Sequence, residues 1–118
     1  QTAYSEVQKI DTGQLAAAAL YYDAYFKNKE GNYEDSNASV QKLAKTYSGY
    51  KLYGAKGLVL MGKNYYELKD AYQATYILES VTKNFTDYPD VVEEAKAELA
   101  VIKNAEAKTN SSVETGGN

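Results

Sequence analysis

Apolar residues recur every three or four positions along most of this chain, which is the spacing of one face of an α-helix. The pattern is clearest over residues 55–85, where two such faces are separated by a tight turn at residues 68–70. Small residues, Gly62 on the first helix and Ala74 on the second, stand where the two helices must approach closely. Because a helical hairpin of this kind buries its apolar faces only by stacking on further hairpins, the pattern predicts neighbouring hairpins.

Further helices are predicted on both sides of this hairpin. Residues 3–10 have the pattern of the last turns of a helix, and a long Ala-rich helix and a second helix follow over residues 14–30 and 32–47. The last helix is predicted over residues 89–108, with an apolar inner face and a charged outer face, as is typical of a helix that closes a stack. The polar, Gly- and Ser-rich residues 109–118 predict a disordered tail.

The composition excludes several kinds of chemistry. The chain has no Cys and no His, so it lacks the commonest nucleophile, general base and soft metal ligands. All of its 13 basic residues are Lys and the net charge is -3, which argues against nucleic-acid binding. No apolar run approaches the roughly 20 residues of a membrane span. The sequence therefore predicts a protein that is not an enzyme, with no cofactor, no nucleic-acid partner and no membrane span in this chain.

The acidic residues that follow the second hairpin are candidate metal ligands. Asp87, Asp90, Glu93 and Glu94 could in principle ligate Ca²⁺, but their spacing lacks the EF-hand loop and its Gly. Capping of the helix that begins there explains them better, because carboxylates are favourable at a helix N-terminus. No metal site is predicted.

Charge and tyrosine content indicate a binding surface. Residues 36–66 contain five Lys and no acidic residue, a charge of +5, whereas residues 87–106 contain six acids and two Lys, a charge of -4. The chain also has 13 Tyr against 2 Phe, and Tyr suits half-exposed helix faces and interfaces. A basic, Tyr-bearing surface favours an acidic segment or a chain terminus as partner. The same Lys residues could equally be solvated helix faces.

The two hairpins correspond at an offset of 38 residues, since the turn that starts at Gly31 matches the one that starts at Lys69 (69 − 31 = 38). The second hairpin resembles a tetratricopeptide repeat at these positions: Leu58, Met61, Gly62, Tyr65, Ala74, Leu78 and Val81. In the first hairpin Ala24 stands at the small position, but Ser36 replaces the usual Ala and Lys27 the usual Tyr. Residues 14–104 are similar to the C-terminal end of long tetratricopeptide-repeat proteins of Bacteroidetes-type bacteria, which are generally exported cell-envelope proteins.

This resemblance implies an all-α fold, a right-handed solenoid of antiparallel helix hairpins closed by a C-terminal capping helix. The repeat domain would cover residues 1–108, with repeats at about 14–47 and 55–85 and the capping helix at about 89–108. Residues 3–10 would then be the second helix of a preceding repeat.

The resemblance also implies a function. Such a chain would be a protein–protein interaction scaffold or adaptor, a subunit of a larger complex that is periplasmic or associated with the outer membrane. Its concave groove would bind a protein or peptide partner. When the groove positions of the family are transferred to the matching positions of this chain, the partner-binding groove consists of Tyr21, Tyr25, Asn28, Lys56, Val59, Lys63 and Tyr66.

Two other functions stay open. One is a purely structural end-cap of a repeat array whose binding surface lies elsewhere, which predicts self-association through the exposed N-terminal edge. The other is binding of a small ligand such as a glycan, with the tyrosines as stacking platforms.

Overall fold

The computed structural model of this chain describes residues 11–116, with side chains described up to residue 109. All secondary structure in this part of the chain is α-helical, which confirms the all-α prediction. The five helices are α1 (Thr12–Lys29), α2 (Tyr33–Thr46), α3 (Lys51–Glu67), α4 (Ala71–Asn84) and α5 (Pro89–Gly116). The helix predicted at residues 3–10 lies outside the described residues.

The turns between α1 and α2 and between α3 and α4 have the same backbone geometry. Gly31 and Lys69 both adopt a left-handed conformation, with φ of 84° and 69°. The residue after each of them donates its backbone N–H to the carbonyl five residues back: Asn32 to Lys27, and Asp70 to Tyr65, both at 2.8 Å. This is the hydrogen-bond pattern of a Schellman C-cap, which supplies donors to the last carbonyls of a helix. The 38-residue offset in the sequence is therefore also an offset in the fold.

The helices form two layers. Each helix packs against the next one in the chain, and α3 also packs against both α1 and α5. Within the described residues, α2 and α4 make no contact with each other. Helices α1, α3 and α5 thus lie side by side in one layer, while α2 and α4 lie separately behind it.

The core follows this layering in two clusters. Ala24, Val40, Leu60 and Met61 fill the space between the first hairpin and α3. The larger cluster joins α3, α4 and α5, and it consists of Ala55, Val59, Ala74, Leu78, Val81, Val91, Ala95, Leu99 and Ile102. Each hairpin therefore buries its apolar face against the helix that follows it, as the periodicity predicted.

The last helix extends past Lys108, where the apolar pattern predicted its end. Its bounds reach Gly116, and the Thr109 hydroxyl donates to the Ala105 carbonyl at 3.0 Å within the helix. The disorder predicted for residues 109–118 stays a prediction, since side chains beyond Thr109 are not described. No helix of the described part of the chain is long and apolar enough to cross a membrane.

A hydrogen-bonded pair joins the start of α1 to the start of α3. Asp11 caps α1 by accepting from the Gly13 backbone N–H at 2.9 Å. The Tyr50 hydroxyl, just before α3, donates to the same carboxylate at 2.9 and 2.8 Å from its two oxygens. The hydrogen bond from Tyr50 lowers the pKa of Asp11 below its ordinary value, and the hydrogen bonds from the backbone N–H groups lower it further by a smaller amount.

The substitution Tyr50→Phe is expected to raise the pKa of Asp11 and to lower stability at neutral pH. A carboxyl group whose pKa is lowered by folding stabilises the fold above its unfolded pKa of about 4, and this contribution disappears as pH falls through the folded pKa. The stability difference between wild type and variant should therefore be present at neutral pH and smaller in acid. Urea unfolding at neutral and at acidic pH would measure the stability difference, and an NMR titration of Asp11 in both proteins would measure the change in its pKa. An unchanged Asp11 titration would contradict the prediction.

Candidate functional site

The residues predicted to line a groove come from α1 and α3, which are neighbours in one layer. On α1, Tyr21, Tyr25 and Asn28 are spaced by four and three residues and so share a face. On α3, Lys56 and Lys63 are separated by seven residues, or about two helical turns. The contact between the two helices brings some of these side chains together and separates others.

Four side chains form what we call the tyrosine cluster: Tyr21, Tyr25, Tyr53 and Lys56. The Tyr21 ring centroid lies 6.3 Å from that of Tyr53 and 6.5 Å from that of Tyr25. The Lys56 ammonium lies over two of these rings, 5.4 Å from the centroid of Tyr21 and 5.8 Å from that of Tyr53. All four residues are half-buried. The cluster thus offers ring surface and one cation at the surface of the layer.

The acidic residues of α5 face the basic side of α3. The Lys63 ammonium forms a salt bridge of 2.9 Å with Glu94, and the Tyr66 hydroxyl donates to Glu106 at 3.3 Å. Burial first and the nearby Glu106 second raise the pKa of Tyr66. Burial, followed by the charge of Glu94, likewise raises the pKa of Tyr21. The two charged segments of the sequence therefore partly neutralise each other, and Lys63 is already paired.

Asn28 belongs to a buried hydrogen-bond network that joins α1, α2 and α3. Its side-chain amide donates to Asn64 Oδ1 at 2.7 Å. The Asn64 amide in turn donates to Ser36 Oγ at 2.8 Å and to Asn37 Oδ1 at 2.9 Å. Ser36 Oγ donates to the Ala24 carbonyl at 2.7 Å. The network explains why a Ser replaces the expected Ala at position 36, because the hydroxyl both donates and accepts.

Of the predicted groove residues, Val59 has no surface role. Its side chain is 1% exposed and belongs to the core cluster beneath the layer. Asn28 positions helices through the buried network, although it remains half-buried itself. Tyr21, Tyr25 and Lys56 come together, whereas Lys63 and Tyr66 are engaged by α5.

Sequence reasoning missed three residues that shape this surface: Tyr53, Asn64 and Glu94. Tyr53 falls between the predicted helix over residues 32–47 and the predicted hairpin over residues 55–85, but it lies in the first turn of α3. The sequence does contain a signal for Asn64. It is a polar residue among closely spaced apolar and small residues of a predicted helix, and an amide that is buried on such a face needs hydrogen-bond partners. No local signal pairs Glu94 with Lys63, since 31 residues separate them.

Two surface depressions are lined by residues outside the tyrosine cluster. One of about 470 Å³ has Tyr66, Lys69 and Glu106 in its wall, and one of about 430 Å³ lies between α2 and the turn that follows α3. Among the described residues, no group of three or more Asp, Glu, His or Cys could hold a metal ion. The arrangement can contact a partner through rings, an ammonium group and shallow surfaces.

Comparisons of this chain with protein-family models, with curated proteins and with solved structures gave no match.

Proposed function

We propose that this chain is a protein–protein interaction module, the C-terminal part of a longer tetratricopeptide-repeat scaffold in a bacterial cell-envelope complex. It has no catalytic role in this proposal, and its location is periplasmic or at the outer membrane. The partner is a protein or peptide segment that binds across α1 and α3. The proposed envelope location follows from the family resemblance alone.

Repetition in the fold supports the repeat part of the proposal. The second helices of the two hairpins, α2 and α4, begin 38 residues apart, at Tyr33 and Ala71. Their C-caps, Tyr47 and Phe85, have nearly the same backbone angles, with φ of -123° in both. Helices α1, α3 and α5 pack side by side, which is the neighbour pattern of a solenoid of hairpins.

The observation that carries the function is the tyrosine cluster. Three half-buried tyrosine rings and one ammonium lie together where α1 and α3 meet at the surface of the layer. Tyr supplies large contact area with little loss of side-chain entropy, and Tyr is enriched at protein interfaces. Lys56 would contact an acidic residue of the partner while the rings contact its apolar side chains. Lys63 is a weaker candidate, since Glu94 already neutralises it.

Reversing the charge of Lys56 tests this function. We expect Lys56→Glu to weaken partner binding at least about tenfold, because the new carboxylate removes the cation and repels an acidic segment. The measurement is affinity capture from a native envelope extract, followed by a binding isotherm with the recovered partner. Lys63 is left unchanged, because Lys63→Glu would face Glu94 and disturb the contact between α3 and α5.

The matched control is Lys42→Glu, which makes the same charge change on α2. Lys42 is exposed and lies on the other layer, outside the tyrosine cluster. Capture by this variant should match the wild type within about twofold. If Lys56→Glu and Lys42→Glu bind a recovered partner equally well, the contact does not involve the tyrosine cluster.

A structural end-cap is the second candidate, and the outer face of α5 favours it. Glu93, Lys96 and Lys103 are exposed there, and the face is largely polar, with Val101, 55% exposed, as its large apolar side chain. Terminal repeats of solenoid proteins have such polar outer faces. This candidate would be favoured if no protein is recovered by the wild-type chain.

A further inference from the structure

The tyrosine cluster has a second cation beside it. The Lys29 ammonium lies over the Tyr25 ring, 5.2 Å from its centroid, while the Lys56 ammonium lies over the rings of Tyr21 and Tyr53. The Tyr21 and Tyr25 ring centroids are 6.5 Å apart, which is within the range of aromatic pairs, so both ammonium groups lie against one set of rings. We call the tyrosine cluster together with Lys29 the ring patch.

The ring patch offers hydrogen-bond donors and no acceptor carboxylate. Within residues 11–109, neither of its ammonium groups takes part in an ion pair or a hydrogen bond, whereas Lys27 and Lys63 each pair with an acidic residue. Glu30, the chain neighbour of Lys29, makes no ion pair with it. Every buried side-chain nitrogen and oxygen in this part of the chain has a partner, so the unpaired donors of the patch are in contact with solvent.

The chain itself shows which groups its tyrosine hydroxyls and ammonium groups bind. Among the described residues, the two tyrosine hydroxyls with a side-chain acceptor both donate to carboxylates, Tyr50 to Asp11 at 2.8 Å and Tyr66 to Glu106 at 3.3 Å. Hydrogen bonds to a charged acceptor are stronger than those between neutral groups. A surface that carries positive charge and donors therefore complements the carboxylates of a partner.

The geometry of α1 determines how far apart those carboxylates would be. Lys29 is eight residues from Tyr21, the ring that Lys56 covers (29 − 21 = 8), which is about 12 Å along the helix axis. An extended segment rises about 3.3 Å per residue, so side chains four positions apart span about 13 Å. They lie on the same face of the segment, with one further side chain between them on that face. This middle side chain would lie over the rings of Tyr21 and Tyr25.

The acidic helix α5 determines the direction of the segment. After burial, the charge of Glu94 is the largest cause that raises the pKa of Tyr21, so this carboxylate lies near the ring. Glu94 pairs with Lys63, and Glu106 accepts from Tyr66. An acidic segment that crossed the layer towards α5 would be repelled by these carboxylates. A segment that runs along α1 avoids them.

We propose that the ring patch binds an extended segment of a partner protein that has two acidic residues four positions apart and an apolar residue midway between them. One carboxylate contacts Lys56, the other contacts Lys29, and the apolar side chain packs on the rings of Tyr21 and Tyr25. This inference rests on the proposed function of the tyrosine cluster. It adds the chemistry of the partner, the direction in which the partner lies and a second anchoring residue, Lys29.

A titration of the full chain with terminally blocked peptides tests the spacing. The peptide Ser-Asp-Thr-Leu-Thr-Asp-Ser is expected to bind with a dissociation constant of about 0.1–1 mM, measured by NMR of the tyrosine rings. With Asn in place of both Asp, binding should be at least about tenfold weaker. With the same charge but adjacent Asp residues, Ser-Asp-Asp-Leu-Thr-Thr-Ser, it should be about threefold weaker, because one cation is not reached. Equal binding of the three peptides, or no binding at about 5 mM, overturns the proposal.

Neutral substitutions test the two anchoring residues. Lys29→Gln and Lys56→Gln each remove one cation without adding a negative charge, and each should weaken binding of the first peptide about three- to fivefold. The matched control is Lys42→Gln, an exposed lysine on α2, which should change binding by less than about 1.5-fold. Equal weakening by all three variants would show an effect of net charge alone and would overturn the proposal. Wild-type affinity of Lys29→Gln would overturn it as well.

A partner recovered by affinity capture distinguishes this inference from the proposed function. A partner whose binding is weakened both by Lys56→Glu and by Lys29→Gln supports both. If Lys56→Glu weakens its binding and Lys29→Gln does not, the proposed function stands and the contact at two carboxylates is overturned. If Lys56→Glu has no effect, the tyrosine cluster is not the binding surface, and both proposals are contradicted.

Discussion

Replacing Asn64 with Leu is expected to lower the free energy of unfolding by about 3 kcal/mol, because it leaves several buried polar groups without partners. Asn64 is fully buried and hydrogen-bonds to Asn28, Ser36 and Asn37, two of which are buried themselves. Leu has the same number of side-chain heavy atoms and the same branching as Asn but a larger volume, so the substitution leaves no cavity and the loss combines the missing hydrogen bonds with overpacking. Urea unfolding followed by circular dichroism measures it.

The matched control is Asn104→Leu on the exposed side of α5, where the amide has no described hydrogen bond to lose. That substitution should change stability by no more than about 0.5 kcal/mol. A loss below about 1 kcal/mol for Asn64→Leu would show that water replaces the missing bonds and that the network is not essential.

A second substitution tests whether the hydrogen bonds of the network depend on one another. Ser36→Ala removes one acceptor of the Asn64 amide, so the double variant should lose less stability than the sum of the two single variants, by about 1 kcal/mol. Additive losses would show that Ser36 and Asn64 stabilise the fold independently. The cycle therefore tests whether the Ser at the position of the usual Ala is coupled to the Asn on the next hairpin.

The helices could be predicted from the sequence because the signals that define them are local. Apolar spacing, the left-handed Gly31 and the capping Asp70 act within a few residues of where they stand. The close approach predicted at Gly62 is also present, although the side chain that fills the space is Leu78 rather than Ala74. Periodicity tells which face is buried, but it does not tell which side chain on the opposing helix lies across from it.

The candidate site could be predicted only in part, because its contacts join distant segments. Residues 36–66 are basic and residues 87–106 acidic in the sequence, and no local signal shows that Lys63 of the first segment meets Glu94 of the second at 2.9 Å. The resemblance predicts Val59 in the groove because it occupies the repeat position of Tyr21, 38 residues earlier. At that position a Tyr ring reaches past the helix to the surface, whereas the shorter Val side chain stays in the core.

Adding one methyl group at Gly62 is expected to destabilise the protein by about 2 kcal/mol, although Ala is the better helix former by about 1 kcal/mol. A Cβ at this position would lie 2.7 Å from Leu78 Cγ and 2.8 Å from Leu78 Cδ2. Leu78 is fully buried in the core cluster, and because protein interiors are close-packed, any shift of its side chain has to displace its neighbours. Gly62→Ala must therefore separate α3 from α4 or force Leu78 out of its rotamer.

Gly54→Ala, on the same helix, is the matched control and should have the opposite sign. Nothing lies within 4 Å of a Cβ built at Gly54, so only helix propensity changes, and stability should rise by about 0.5–1 kcal/mol. Combining Gly62→Ala with Leu78→Val should cost less than the sum of the two, since the smaller side chain makes room for the methyl group. Thermal and urea unfolding of the four variants measures these differences. If Gly62→Ala stabilised the protein as Gly54→Ala does, the two helices would not be in the close contact that makes Gly necessary at position 62.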